Sequence, residues 1–224
     1  MKRTIALAVV GGAILCVAAR ADADVTVTVD KGATWLGFMN VFELPSNGGA
    51  YVFGSPWGTS DLAAVFSGDM LTLSPNTIGD PDPFWYQGGG GPGAPGNKTM
   101  DANMYVQQDG PLAGQTVTFE GNILSNSLVS PYTSVAFIKD FAPDFSSSFS
   151  VTVPLSPGPF SLSLATINDP NRHVQYGFET IGPNVWITDV GAYGSVQIGA
   201  VPEPAGLCLA GIATIGCMIF RRRR

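Results

Sequence analysis

Between Phe149 and Ile198 the chain repeats one pattern: a short run of β-branched and aromatic residues, then a cluster of turn formers. The runs are Phe149–Leu155, Phe160–Ile167, Val174–Thr180, Val185–Val190 and Ser195–Ile198. Between them stand Ser156-Pro157-Gly158-Pro159, Asn168-Asp169-Pro170-Asn171, Ile181-Gly182-Pro183-Asn184 and Gly191-Ala192-Tyr193-Gly194. Runs this short, punctuated this often, describe antiparallel strands. Val25–Val29 and Thr116–Phe119 alternate with a period of two, the mark of a strand with one buried face. Trp35–Leu44, Ala50–Phe53 and Leu71–Leu73 read as further strands. Asp61–Phe66 reads as one short helix, with Asp61 as its cap and Leu62, Val65 and Phe66 on one face. No helical stretch of the length that parallel βαβ units need separates the strands. The expected fold is therefore all-β: one antiparallel β-sandwich, jelly-roll-like, over residues 24–200, with roughly eight to ten strands.

The two ends read as addresses. Lys2 and Arg3 precede an unbroken apolar run, Ile5–Ala19, and small residues follow at Ala19, Ala21 and Ala23. That is the three-part plan of a secretory signal over residues 1–23, a helix removed by signal peptidase after Ala21 or Ala23. Leu15 stands before Cys16 where a lipidation site takes a small residue, and no twin arginine is present, so general secretion is expected. At the other end Val201-Pro202-Glu203-Pro204 is followed by sixteen uncharged residues, Ala205–Phe220, and then Arg221, Arg222, Arg223 and Arg224. Sixteen residues at about 1.5 Å each reach about 24 Å, close to a membrane's hydrocarbon thickness once flanking arginines snorkel. The run is expected to form a C-terminal transmembrane helix, with the arginines held on the cytoplasmic side as a membrane stop.

In this order, a Pro-Glu-Pro box, an apolar helix and a basic terminus resemble the PEP-CTERM sorting signal of exopolysaccharide-producing bacteria. The resemblance covers residues 201–224. It implies recognition by an exosortase, a membrane cysteine transpeptidase, cleavage near Pro202-Glu203-Pro204, and release or attachment at the cell surface. Pro202, Glu203 and Pro204 are then a motif that is read by another enzyme. Trp35–Phe42, Asn97–Val106 and Ala136–Phe141 are similar, as a group, to stretches of an uncharacterised set of PEP-CTERM surface proteins from environmental bacteria. That similarity implies nothing about chemistry.

Charge and cysteine content narrow the function of the middle. The whole chain has a net charge of −6, but residues 24–200 hold fifteen acidic side chains against Lys31, Lys98, Lys139 and Arg172, a net charge near −11. Such a surface excludes nucleic acid as a partner and repels anionic polymers unless a cation bridges them. The three cysteines, Cys16, Cys208 and Cys217, all lie in the end segments. The middle therefore has no disulfide, no thiolate metal site and no cysteine nucleophile.

Few residues in it suggest chemistry. His173 is the only histidine, and no Gly-x-Ser-x-Gly elbow exists to partner it. A histidine zinc site is excluded by number. Asp80-Pro81-Asp82 is a compact carboxylate pair and the candidate for a structural calcium ion; Asp140 and Asp144 are a looser pair. Neither has the spacing of a dedicated calcium loop, and aspartate is an ordinary turn residue. Glu43, Glu120 and Glu179 stay without a role, since glycoside hydrolysis needs two carboxylates at a separation that sequence does not reveal. Trp35, Trp57, Trp85 and Trp186 stand near Gly or Pro. Phe84-Trp85-Tyr86, beside the Gly88–Gly96 loop, is the candidate aromatic sugar platform. The expectation is a non-enzymatic exported or surface protein associated with exopolysaccharide or biofilm matrix, with no cofactor beyond that calcium. The alternatives are a carbohydrate-binding module with its site at Phe84, Trp85 and Tyr86, and a carboxylate-based hydrolase.

Overall fold

The computed structural model describes residues 24–200. The expected signal segment, residues 1–23, lies outside the described residues. So do Pro202, Glu203 and Pro204, the apolar run 205–220, and Arg221–Arg224.

Fourteen strands run through the described residues: β1 (Asp24–Thr28), β2 (Leu36–Glu43), β3 (Tyr51–Pro56), β4 (Ala64–Ser67), β5 (Met70–Leu73), β6 (Thr77–Ile78), β7 (Lys98–Asp109), β8 (Thr116–Asn126), β9 (Thr133–Phe141), β10 (Ser148–Pro154), β11 (Gly158–Ala165), β12 (His173–Pro183), β13 (Val185–Trp186) and β14 (Val196–Gly199). They form an all-β architecture. One six-stranded sheet has the order β10-β9-β12-β7-β2-β3. The other has the order β1-β8-β14-β5-β4, with β11 paired to β8 as well. The pair β13-β6 stands apart. Among the described residues no helix is long and apolar enough to cross a membrane.

Alternation in the strands builds the core. Met100, Ala102, Met104 and Val106 of β7 point one way, as do Val174, Tyr176 and Phe178 of β12, and all are buried. Val117, Phe119 and Ile123 of β8, with Phe160 and Leu162 of β11, face them from the other sheet in the same apolar cluster. Phe119 is the join between the layers. Its ring lies 5.2 Å from Phe160 in its own sheet, and 5.3 Å from Tyr176 and 5.4 Å from Phe178 in the opposite one. Such tilted and edge-on contacts add about 0.5–1.5 kcal/mol each beyond area burial.

Several local expectations are corrected. Asp61–Phe66 is not a helix: it is a turn leading into β4, and Ala63 carries a positive φ of 56°. Six residues cannot hold a helix against a neighbour that offers a ladder, and β5 pairs with β4 from Ala64–Leu73 to Ser67–Met70. The turn expected at Ile181–Asn184 is also absent, because β12 continues to Pro183. The pairing with β9 stops at Ile181, so the missing N–H of Pro183 disturbs no ladder on that side. After Trp186 the expected strand gives way to a turn and a 3-10 helix, Val190–Tyr193. Pairing is not wholly antiparallel. β1 runs parallel to β8, and β13 parallel to β6. The long chain between the members of each pair frees them from hairpin geometry.

Candidate functional site

The six-stranded sheet β10-β9-β12-β7-β2-β3 buries one face in the core and turns the other outward. The residues of opposite parity on β7, Asp101, Asn103, Tyr105 and Gln107, therefore share the outer face with Phe38 and Asn40 of β2, Gln175 and Glu179 of β12, and Lys139 and Phe141 of β9. Register sets who meets whom. Asn40 stands opposite Asp101, Asn103 opposite Glu179, and Gln175 between Gln107 and Lys139. Gly177 lies between Tyr105 and Phe137. A Cβ at Gly177 would come within 2.1 Å of Met104 O, so only glycine fits this close approach of the β7 backbone.

These side chains are linked by hydrogen bonds. Asn40 Nδ2 donates to Asp101 Oδ2 at 3.2 Å, and Asn103 Nδ2 donates to Asp101 Oδ1 at 2.6 Å. Lys139 Nζ donates to Asn103 Oδ1 at 2.7 Å and to Glu179 Oε2 at 2.8 Å, and lies 4.1 Å from the centre of the Phe137 ring. In the next row Gln175 Nε2 donates to Gln107 Oε1 at 2.8 Å, and Gln107 Nε2 to Asp109 Oδ1 at 2.9 Å. Burial pushes the Asp101 carboxyl up to about 6, and the nearby Glu179 charge pushes the same way; Lys139 and the two asparagine amides oppose them. Burial alone raises the Tyr105 phenol.

Over this network lies a groove of about 460 Å³. Phe38, Pro56, Tyr105, Phe141 and Phe145 supply its apolar surface, and Asn40, Asn103, Gln107, Lys139 and Gln175 its polar surface. Asp101 and Glu179 are not among the lining residues. Phe145 reaches the groove from the β9–β10 loop. Its φ is +58°, a left-handed conformation rare for a bulky residue, and it is 51% exposed. Stacking on His173 fixes the ring, with centroids 4.3 Å apart and planes 4° from parallel. The same loop is closed by Asp144, whose Oδ1 accepts from the N–H and the hydroxyl of Ser146.

The residues singled out from sequence lie elsewhere. Tyr86 is fully buried, its hydroxyl 2.5 Å from Ile78 O and 2.9 Å from Val185 O, and its ring stacks edge-on with Trp186. Trp85 is half-buried against Phe53 and Phe84. Phe84 alone of the three is exposed, and the Lys98 ammonium lies 4.4 Å from its ring centre. Of the three rings expected as a sugar platform, one is thus buried, one half-buried and one exposed, beside the glycine loop. Trp35 and Trp57 likewise pack against the core, and their indole N–H groups donate to Asp30 O and Ser55 Oγ.

Asp80 and Asp82, the expected calcium pair, stand in consecutive turns. Asp80 Oδ1 accepts from the N–H of Asp82, and Asp82 Oδ1 from the N–H of Phe84, so both carboxylates serve turns. Asp140 is buried against Arg172. Among the described residues no three His, Cys, Asp or Glu side chains are grouped to hold a metal ion. Glu43 pairs with Lys98, and Glu120 is exposed on β8. His173 pairs with Asp109, and its other ring nitrogen faces Pro143 O at 3.3 Å, so no serine hydroxyl is hydrogen-bonded to it.

Sequence reasoning missed the groove because it missed β7 and β9 as strands. Asp101, Asn103, Gln107 and Lys139 break their hydrophobic runs. The signal was present as parity: polar residues at 101, 103 and 107 against apolar ones at 100, 102, 104 and 106.

Comparison with known proteins informs the far end of the chain. Residues 200–224 match the PEP-CTERM protein-sorting motif. No curated protein and no solved structure matches the chain. The motif implies an exported protein that is processed by an exosortase and anchored in the membrane until then.

Proposed function

We propose that this protein is a non-enzymatic component of the cell surface or extracellular matrix, and that residues 24–200 associate there with extracellular polysaccharide. The observation that carries the reading is the lining of the groove. Aromatic rings and amides offer stacking and hydrogen bonds to sugars, while Asp101, Asp109 and Glu179, the carboxylates bonded to lining residues, stay off its wall. The sorting motif supports it from the other end, since it implies an exported protein. The two facing sheets, built from strands distant in sequence, read as a jelly-roll-like sandwich with one sheet face free for binding.

In this reading residues 1–23 direct export and signal peptidase removes them after Ala21 or Ala23. The 205–220 run holds the chain in the membrane while Arg221–Arg224 keep its end cytoplasmic. Exosortase then cuts near Pro202-Glu203-Pro204.

The experiment is fractionation of the producing cells. Mature protein should sediment with the extracellular polysaccharide, carry a C-terminus near residue 203 by mass spectrometry, and leave the polymer's chain length unchanged on incubation. Recovery of the protein free of polysaccharide refutes the association. Depolymerisation refutes the non-enzymatic assignment, and a surface form still ending in Arg224 refutes the processing.

A further inference from the structure

The groove on the outer sheet face has features that specify its ligand more closely than the association with polysaccharide does. We propose that it holds a chain of uncharged sugars, with Phe145 as the ring on which one sugar stacks and Gln175 among the groups that bind its hydroxyls. This rests on the polysaccharide reading and adds to it the site and the ligand class.

Charge selects the class. The one cation on the groove wall, Lys139, is already paired with Glu179 at 2.8 Å. No free positive charge is left there for a uronate or a sulfated sugar. Around it, residues 24–200 carry a net charge near −11, which repels polyanions. The polar wall is instead made of amides. Gln175 and Gln107 each spend one N–H of two within the network, and a side-chain amide both donates and accepts. A sugar hydroxyl needs the same pairing of donor and acceptor.

Shape selects a chain. The lining runs from Pro56 on β3 across β2, β7 and β12 to Phe141 on β9, five neighbouring strands. At about 4.8 Å per strand that is roughly 19 Å, more than one sugar ring can fill. At the β3 end Gly54 lets Phe38 and Asn40 pack close to the strand, since a Cβ there would lie 2.8 Å from Asn40 Oδ1 and Phe38 Cε1 and 2.7 Å from the Tyr51 hydroxyl.

Phe145 marks the opposite end. A half-exposed phenylalanine gains little by burial, yet here it is held at a positive φ by its own loop and by the flat face of His173. Strain maintained by several independent contacts at a solvent-facing ring is what a preformed stacking surface requires.

The test uses the mature protein from its own cells, and the cells' extracellular polysaccharide split by anion exchange into a neutral and an acidic fraction. Affinity electrophoresis in each fraction should show retardation by the neutral one. Phe145→Ala and Gln175→Ala should each weaken it at least tenfold, while Phe145→Tyr keeps it and Phe84→Ala, outside the groove, leaves it unchanged. Circular dichroism and thermal melting establish that each variant is folded; should Gln175→Ala unfold, the exposed Phe145 series decides alone. Retardation of both groove variants equal to that of the parent overturns the site while the polysaccharide reading stands. Binding to the acidic fraction alone overturns the ligand class. Failure of the parent protein to bind either fraction overturns the polysaccharide reading itself.

Discussion

The imidazole of His173 lies flat on the ring of Phe145, 4.3 Å between centroids, while its Nδ1 meets Asp109 Oδ1 at 2.7 Å. The single histidine of the chain thus ties the end of β7 to the loop that carries the exposed ring of the groove. Its neighbours give it the work of a brace.

That brace should depend on pH. The hydrogen bond to Asp109 raises His173 above its ordinary value of 6.5, and the same bond lowers Asp109 below 3.8. The histidine's contribution is complete below about pH 6.5 and is lost as pH rises through its raised value. The aspartate's contribution is present above about pH 3.8 and is lost as pH falls through its lowered value. The pair is therefore fully formed between those limits. NMR titration of the His173 ring protons should give a midpoint above 6.5, falling back toward 6.5 in Asp109→Asn. An unchanged midpoint in that variant would show that the pair does not form in solution.

Asp140 and Arg172 form the most buried ion pair among the described residues. Arg172 Nε donates to Asp140 Oδ1 at 2.8 Å and a second guanidinium nitrogen to Asp140 O at 2.9 Å, while Asp140 Oδ2 accepts from the N–H of Ile167. Removing one partner leaves an uncompensated charge in the protein interior. Arg172→Met should cost about 3–5 kcal/mol in urea unfolding. A loss below about 1 kcal/mol would mean that water reaches the carboxylate.

Tyr86→Phe separates the two aromatic regions. The buried O–H is shared between the carbonyls of Ile78 and Val185, joining β6 and β13 to the glycine loop. Its loss leaves buried acceptors unpaired and should cost about 1–3 kcal/mol of stability. Retention by polysaccharide should not change. A variant as stable as the parent but unable to bind would return the site to Phe84–Tyr86.

Asp101 should weaken the fold as it ionises. Its value in the folded protein, about 6, stands above the ordinary 3.8, so the native state holds its proton longer than the unfolded chain does. Stability should fall as pH rises from about 4 to about 6, by an amount on the order of 2–3 kcal/mol. Asp101→Asn should flatten that part of the curve, and Glu179→Gln should lower the Asp101 midpoint seen by carboxyl NMR.

The sequence alone was enough for the class and the address. Five punctuated runs after Phe149 require an all-β chain, because turn formers act locally and alternation is a property of the strand itself. The terminal motif is equally local: Pro202, Glu203, Pro204 and the residues after them match a sorting signal that is read as a linear segment. The structure decided what long-range pairing decides. It made β4 a strand because β5 lay beside it, extended β12 through Gly182 and Pro183 along β7, and buried Tyr86, which the sequence reading sets at the surface. It also created the groove, whose residues come from β2, β3, β7, β9, β12 and the loop after β9. No linear motif joins Asn40, Tyr105, Lys139, Phe145 and Gln175. They meet because register across a sheet brings distant residues to one face, and register is a property of the assembled strands.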